Sequence, residues 1–114
     1  MTRTVVALAA VLAAAAGSTN RVAASGCARH EVDGVSASAC QIGDDIQVLA
    51  HNYNPYPVRF SVKVRYRLKS AGERTGWAEG HLLADGGGEL ALWRNPDYSL
   101  SDVTDIEVRN VARR

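Results

Sequence analysis

Val58-Arg59-Phe60-Ser61-Val62-Lys63-Val64-Arg65-Tyr66-Arg67-Leu68 alternates apolar and polar residues without a break. In an extended chain successive side chains point to opposite faces. Val58, Phe60, Val62, Val64, Tyr66 and Leu68 therefore share one face, while Arg59, Ser61, Lys63, Arg65 and Arg67 share the other and Lys69 continues that row. Strict period two over this length predicts a half-buried β-strand whose apolar row lies at the centre of a core.

Outward from this strand the same texture repeats. Short segments rich in Val, Ile, Leu, Tyr and Trp are expected as strands over 27–32, 35–42, 46–53, 75–84, 89–94 and 103–111. The intervening Asp33-Gly34, Gly43-Asp44-Asp45, Asn54-Pro55-Tyr56-Pro57, Ser70-Ala71-Gly72, Asp85-Gly86-Gly87-Gly88 and Asn95-Pro96-Asp97 are turn-forming residues. About seven short strands spaced in this way point to an all-β, Ig-like antiparallel β-sandwich.

The N-terminal part has a different character. Arg3 precedes an uninterrupted apolar run over residues 5–16, followed by small residues. That is the layout of a secretory signal peptide, and a run of this length is shorter than the roughly 20 residues a spanning helix needs. Cleavage fits after Ala24, giving a signal peptide over 1–24 and a domain over 25–114, or earlier, after Ala16 or Gly17. Removing Arg3 and Arg21 changes the formal charge from +1 to −1, so the mature domain is close to neutral. Its overall charge favours neither nucleic acid nor a membrane surface, and it contains no transmembrane segment. The expected location is secreted or periplasmic. The alternative is lipoprotein anchoring at Cys27, because Ala24-Ser25-Gly26-Cys27 ends in a cysteine after small residues. Oligomeric state is not encoded in any pattern found here.

Two cysteines remain, and the turn between them fixes their relation. Asp33-Gly34 suits a two-residue type I′ turn, which requires positive φ at both positions. That turn pairs Val32 with Val35, and counting outward places Cys27 opposite Cys40 in a non-hydrogen-bonded pair, with Cα atoms about 4.5 Å apart. A Cys27–Cys40 disulfide is therefore expected, on the polar side with Arg29, Glu31, Ser36 and Ser38. It should be a surface staple on a terminal hairpin, structural in role, in a small domain that gains from a cross-link.

Residues 46–108 carry a further signature in Asn52-Tyr53-Asn54-Pro55, Val62-Lys63-Val64-Arg65-Tyr66, Gly72, Gly86-Gly87-Gly88-Glu89-Leu90 and Ile106-Glu107-Val108. This arrangement resembles the small Ig-like modules of the FxLYD type found in exported bacterial proteins. The resemblance implies the sandwich fold and an accessory role. It transfers no functional residues.

Candidate chemistry is sparse. Arg59, Lys63, Arg65, Arg67 and Lys69 lie on one face of the strand, where alternate residues are about 6.6 Å apart, a ladder that could track a polyanion or acidic glycan. Its competing reading is a solvated face offset by Glu79, Glu89, Asp105 and Glu107. Tyr56, held between two prolines, is expected to be a stiff, exposed aromatic suited to recognition. Tyr53, Tyr56, Trp77, Trp93 and Tyr98 either make an aromatic platform for a sugar or protein, or divide into core tryptophans and a turn cap. His30, His51 and His81 show no metal-ligand spacing, and His30 should be partly buried, on the side of Val32 and Val35. No nucleophile elbow, phosphate loop or paired carboxylate motif is present. The expectation is a non-catalytic interaction or structural domain with no cofactor and no metal. Its partner would be a protein or glycan, not nucleic acid.

Overall fold

The computed structural model describes residues 19–22, 26–94 and 99–114. Its strands are β1 (Thr19–Val22), β2 (Cys27–Val32), β3 (Val35–Ile42), β4 (Asp45–Asn52), β5 (Val58–Leu68), β6 (Gly72–Leu82), β7 (Gly87–Trp93) and β8 (Leu100–Arg113). They form two antiparallel sheets, one ordered β1-β2-β3-β4-β7 and the other β6-β5-β8. This is the expected sandwich. The signal-peptide helix falls on residues outside the described ones. Residues 19–22, which the later cleavage site would remove, pair with β2 from Thr19↔Glu31 to Val22↔Ala28.

The strand that decided the fold occupies the middle of the smaller sheet. Val58, Phe60, Val62, Val64 and Leu68 are buried and Tyr66 is half-buried, as the alternation requires. The larger sheet answers with Ala28, Val35, Ala37, Ala39, Ile46, Val48 and Ala50, and β8 adds Leu100, Val103, Ile106 and Val108. Four of the seven residues from the larger sheet are alanines. Their small side chains let the bulkier rows of β5 and β8 come close without voids.

The inward positions of β6 are smaller still. Phe60 and Gly80 are directly paired, and a Cβ at Gly80 would meet the Phe60 ring at 2.2 Å. The ring of Trp93 occupies the equivalent space over Gly76 and lies 6.4 Å from the Tyr66 ring. Glycine in this strand leaves room for two aromatic rings that would otherwise have no place in a thin core.

The Asp33-Gly34 turn adopts positive φ at both residues, 52° and 77°. The register follows from Val32↔Val35 to Cys27↔Cys40. The disulfide forms between these two residues, with Cα atoms 4.0 Å apart. Both cysteines are half-buried on the outer face. β4 flanks β3 on one side, and β1 flanks β2 on the other unless cleavage after Ala24 removes it, in which case the hairpin is terminal. With β1 in place the staple sits inside the five-stranded sheet.

One end of the sandwich is stitched by a buried asparagine. Asn52 is fully buried, and its Nδ2 donates to the carbonyls of Tyr56 (2.9 Å) and Leu83 (3.0 Å). Its Oδ1 accepts from the backbone N–H and the Nδ2 of Asn54, each at 3.0 Å. Asn54 Nδ2 also donates to the Asp33 carbonyl, and Tyr53 N–H donates to the Gly34 carbonyl. One side chain, with all of its hydrogen-bonding capacity used, ties three loops together.

A second polar residue crosses between the sheets. His30 on β2 is buried, and its Nδ1 accepts from the Val108 N–H on β8 at 2.9 Å. This satisfies an edge N–H that β5 does not reach, and it fixes Nδ1 as the acceptor nitrogen of the ring. The expected inward-facing histidine is therefore a structural cross-brace.

Several strand limits differ from the expected ones. β6 begins at Gly72 and not 75, since its first residues are exposed and polar, yet pair with Arg67 and Leu68. β8 runs from 100 to 113 and not 103 to 111, because three register shifts against β5 interrupt its alternation. β7 starts two residues early, at glycines that carry no periodic signal.

Candidate functional site

The polar face of β5 becomes the central column of the outer surface of the three-stranded sheet. Across it, Arg59 pairs with His81 and Ala112, Ser61 with Glu79 and Arg109, and Lys63 with Trp77 and Glu107. Arg65 pairs with Thr75 and Asp105, and Arg67 with Glu73 and Asp102. The cations Arg59, Lys63, Arg65, Arg67 and Arg109 thus face Glu73, Glu79, Asp102, Asp105 and Glu107 on the same surface. The charges cancel.

Contacts follow the pairing. The Arg67 guanidinium donates twice to Asp102, from Nε at 3.1 Å and from Nη2 at 2.9 Å. This hydrogen-bonded carboxylate raises the arginine's pKa above its ordinary value, with the Coulomb attraction of Asp102 adding to it. Ser61 Oγ donates to Glu79 at 3.0 Å. Arg109 lies 3.9 Å from Glu107 and places its guanidinium carbon 5.9 Å from the Trp77 ring centroid. Lys69 is exposed just beyond the end of β5, and its backbone N–H donates to the Ser99 carbonyl at 2.9 Å.

Trp77 is half exposed (50%) at the middle of this surface. The reading that placed it in the core is corrected by register: Ala78 opposite Val62 faces inward, so Trp77 faces out. Its signal was legible in Gly76-Trp77-Ala78-Glu79-Gly80, where small residues hold one parity and Trp and Glu the other. Trp93 does pack against the core.

Tyr56 is half-buried against the core and not freely exposed. Its carbonyl is held by Asn52, and the Arg113 guanidinium stacks 4.5 Å from its ring centroid. The chain end of β8 therefore covers the loop that the two prolines stiffen. Tyr53 is exposed (62%) and stacks on His51, with ring centroids 4.3 Å apart. It belongs to the other sheet's side, so Tyr53, Tyr56 and Trp77 do not form one platform; Tyr98 lies outside the described residues.

The three histidines are also dispersed. His30 is internal, His81 lies beside Arg59, and His51 is on the outer surface of the five-stranded sheet. There a shallow groove is lined by Arg29, Ser36, Ser38, Leu49, His51 and Gly87. Ser36 is the cross-strand neighbour of His51, and His51 Nε2 contacts Asp85 at 2.9 Å. These are the residue types of a nucleophile triad, but the geometry differs. The His51 ring leans over Gly87 on the far side of β4, and no hydrogen bond joins it to Ser36. Among the described residues no cluster of three or more His, Cys, Asp or Glu could hold a metal, and no helix is long and apolar enough to cross a membrane.

No family model, no curated protein and no solved structure matches this chain.

Proposed function

We propose that this chain is an exported, non-catalytic interaction domain that meets a protein partner through the outer surface of its three-stranded sheet. The observation that carries this is Trp77: a half-exposed indole on a rigid, regularly paired strand, flanked by Lys63 and stacked by Arg109. Tryptophan and arginine are the residues most enriched where interfaces concentrate their energy. The apolar run over residues 5–16 and the Cys27–Cys40 disulfide support export to an oxidising compartment.

The second reading, a polyanion or glycan binder, draws on the cation column Arg59, Lys63, Arg65 and Arg67. The carboxylates beside that column weigh against it, since each phosphate or sulfate would also meet Glu107, Asp105 or Asp102.

A photo-crosslinking residue at Lys63, compared with one at Gln47 on the opposite sheet, tests the proposal in the producing cell. The expected result is a discrete adduct with a different protein from position 63 alone, lost on Trp77→Ala or Arg109→Glu. Equal adducts from both positions would overturn it. So would retention on heparin at physiological salt that Arg65→Glu with Arg67→Glu removes, which would favour the polyanion reading.

A further inference from the structure

Among the described residues the sandwich has four strand edges, and three of them are blunted. β1 has four residues. β7 carries a register irregularity against β4. β8 is interrupted by three register shifts and by Asn110 at φ 59°, and His30 caps its Val108 N–H. Bulges, short length and covering groups are the usual protection against edge-to-edge pairing.

β6 is neither short nor bulged, and its covering group, Arg74, is confined to its start. It runs eleven residues in unbroken register against β5, from Val58↔Leu82 to Leu68↔Gly72, with no proline. Among the described residues it has no strand on its other side. Its one charge of inward parity, Arg74, is folded back onto the carbonyls of Ala71 and Glu73. A long, regular, open edge is a template for another strand.

We propose that the occupant of this edge is β6 of a second copy, paired antiparallel about a two-fold axis through Trp77, giving one continuous six-stranded sheet. The register follows from the side chains. With Trp77 opposite its own counterpart, Thr75 faces Glu79 and Glu73 faces His81, each twice, and no like charges meet. On the inner side Gly76 faces Ala78 and Arg74 faces Gly80. Moving the axis to Gly76 sets Glu73 against Glu79 twice, and moving it to Ala78 breaks both Glu73–His81 pairs. Opposite-charge and aromatic pairs directly across an antiparallel ladder are the stabilising ones. An isologous contact of this kind closes on itself and does not propagate. The two-fold leaves both Trp77-bearing surfaces on the same side, so pairing doubles the proposed partner-binding face. The inference nonetheless stands on the edge and not on that face.

A single-strand contact is small, so the dimer should be weak and concentration-dependent, assembling around tens to hundreds of micromolar. Analytical ultracentrifugation of the exported, oxidised protein from about 1 to 300 μM reads it directly. Thr75→Glu sets two carboxylates against the facing Glu79 residues and should weaken dimerisation roughly tenfold; Thr75→Lys creates two opposite-charge pairs and should tighten it by a similar factor. Position 75 is exposed and pairs with Arg65, and circular dichroism of both variants is the check that they fold. A monomer throughout this range would overturn the proposal, as would a dimer that responds equally, or not at all, to the two substitutions. A monomer that still yields the crosslinked adduct from Lys63 would overturn the dimer and leave the partner-binding face intact.

Discussion

Gly80→Ala adds one methyl group to the protein, on a strand where alanine is ordinarily the better residue. At an unobstructed strand position the change should stabilise by about 0.5–1 kcal/mol through the unfolded chain's lower entropy. Here the new Cβ would lie 2.2, 2.5 and 2.6 Å from Cζ, Cε2 and Cε1 of Phe60. Ordinary carbon contact begins near 3.5 Å, so the ring must retreat by about 1.3 Å. Phe60 is 2% exposed and backed by the core, and has nowhere to retreat without displacing its neighbours. Overpacking of this kind costs about 1–3 kcal/mol, which outweighs the entropic gain and reverses the sign. For a domain of this size a loss of ~2 kcal/mol lowers the melting midpoint by roughly 10 °C. Urea and thermal unfolding of the oxidised protein, followed by circular dichroism, would measure it. Phe60→Leu should cost about 1–2 kcal/mol alone, yet much less in the Gly80→Ala background, where the new methyl occupies space the ring has left. A coupling of at least about 0.5 kcal/mol in that double-mutant cycle is expected. A stabilised Gly80→Ala, or two costs that simply add, would refute this account of β6.

Three further outcomes are expected. Replacing Cys27 and Cys40 together by alanine should cost about 3 kcal/mol, read from the denaturation midpoint, because the loop closed by a sequence separation of 13 is released. Asn52→Asp keeps the shape of the side chain but loses both donors to the Tyr56 and Leu83 carbonyls. It should destabilise by about 3 kcal/mol, and amide exchange should rise in the loops around residues 33, 54 and 85. His30→Ala removes the acceptor for the Val108 N–H and should cost about 1–3 kcal/mol. Its local signature is faster hydrogen exchange at Val108 than at the neighbouring positions of β8.

The parts of the molecule visible in the sequence are those governed by strict alternation or by a turn of defined type. Residues 58–68 announce their strand, and Asp33-Gly34 determines the pairing of Cys27 with Cys40, because both signals are local. The bulges of β8 are set by how it twists across β5, so alternation alone makes the strand too short. The glycines of β6 read as weak strand formers, when their purpose is to admit the rings of Phe60 and Trp93 from elsewhere in the chain. The outward parity of Trp77 is local to Gly76–Gly80, but the packing of Tyr56 against the core and under Arg113 is long-range, so the sequence overrates Tyr56. The cation ladder was visible along one strand. The sequence suggested offsetting carboxylates, Glu79, Asp105 and Glu107 among them, but which cation each one faces is decided by the pairing of β6 and β8 with β5.

The Asn52 knot gives the sandwich two unlike ends. Around residues 33–34, 53–57 and 83–86, backbone and side-chain bonds interlock so closely that a Cβ on Gly34 would strike the Asn54 amide at 2.6 Å. At the opposite end, a Cβ at Gly43 or Gly72 would meet nothing within 4 Å. Changes in chain length should therefore be tolerated very unequally. An epitope tag, a labelling site or a grafted recognition loop belongs in the 69–71 turn; the 43–44 turn is less free, because Gly43 holds φ 63° and Asp44 Oδ1 accepts from the Leu100 N–H at 3.1 Å. The knotted end should reject even a single inserted residue, which makes the domain a one-sided platform for engineering and, over evolutionary time, a one-sided source of sequence variation.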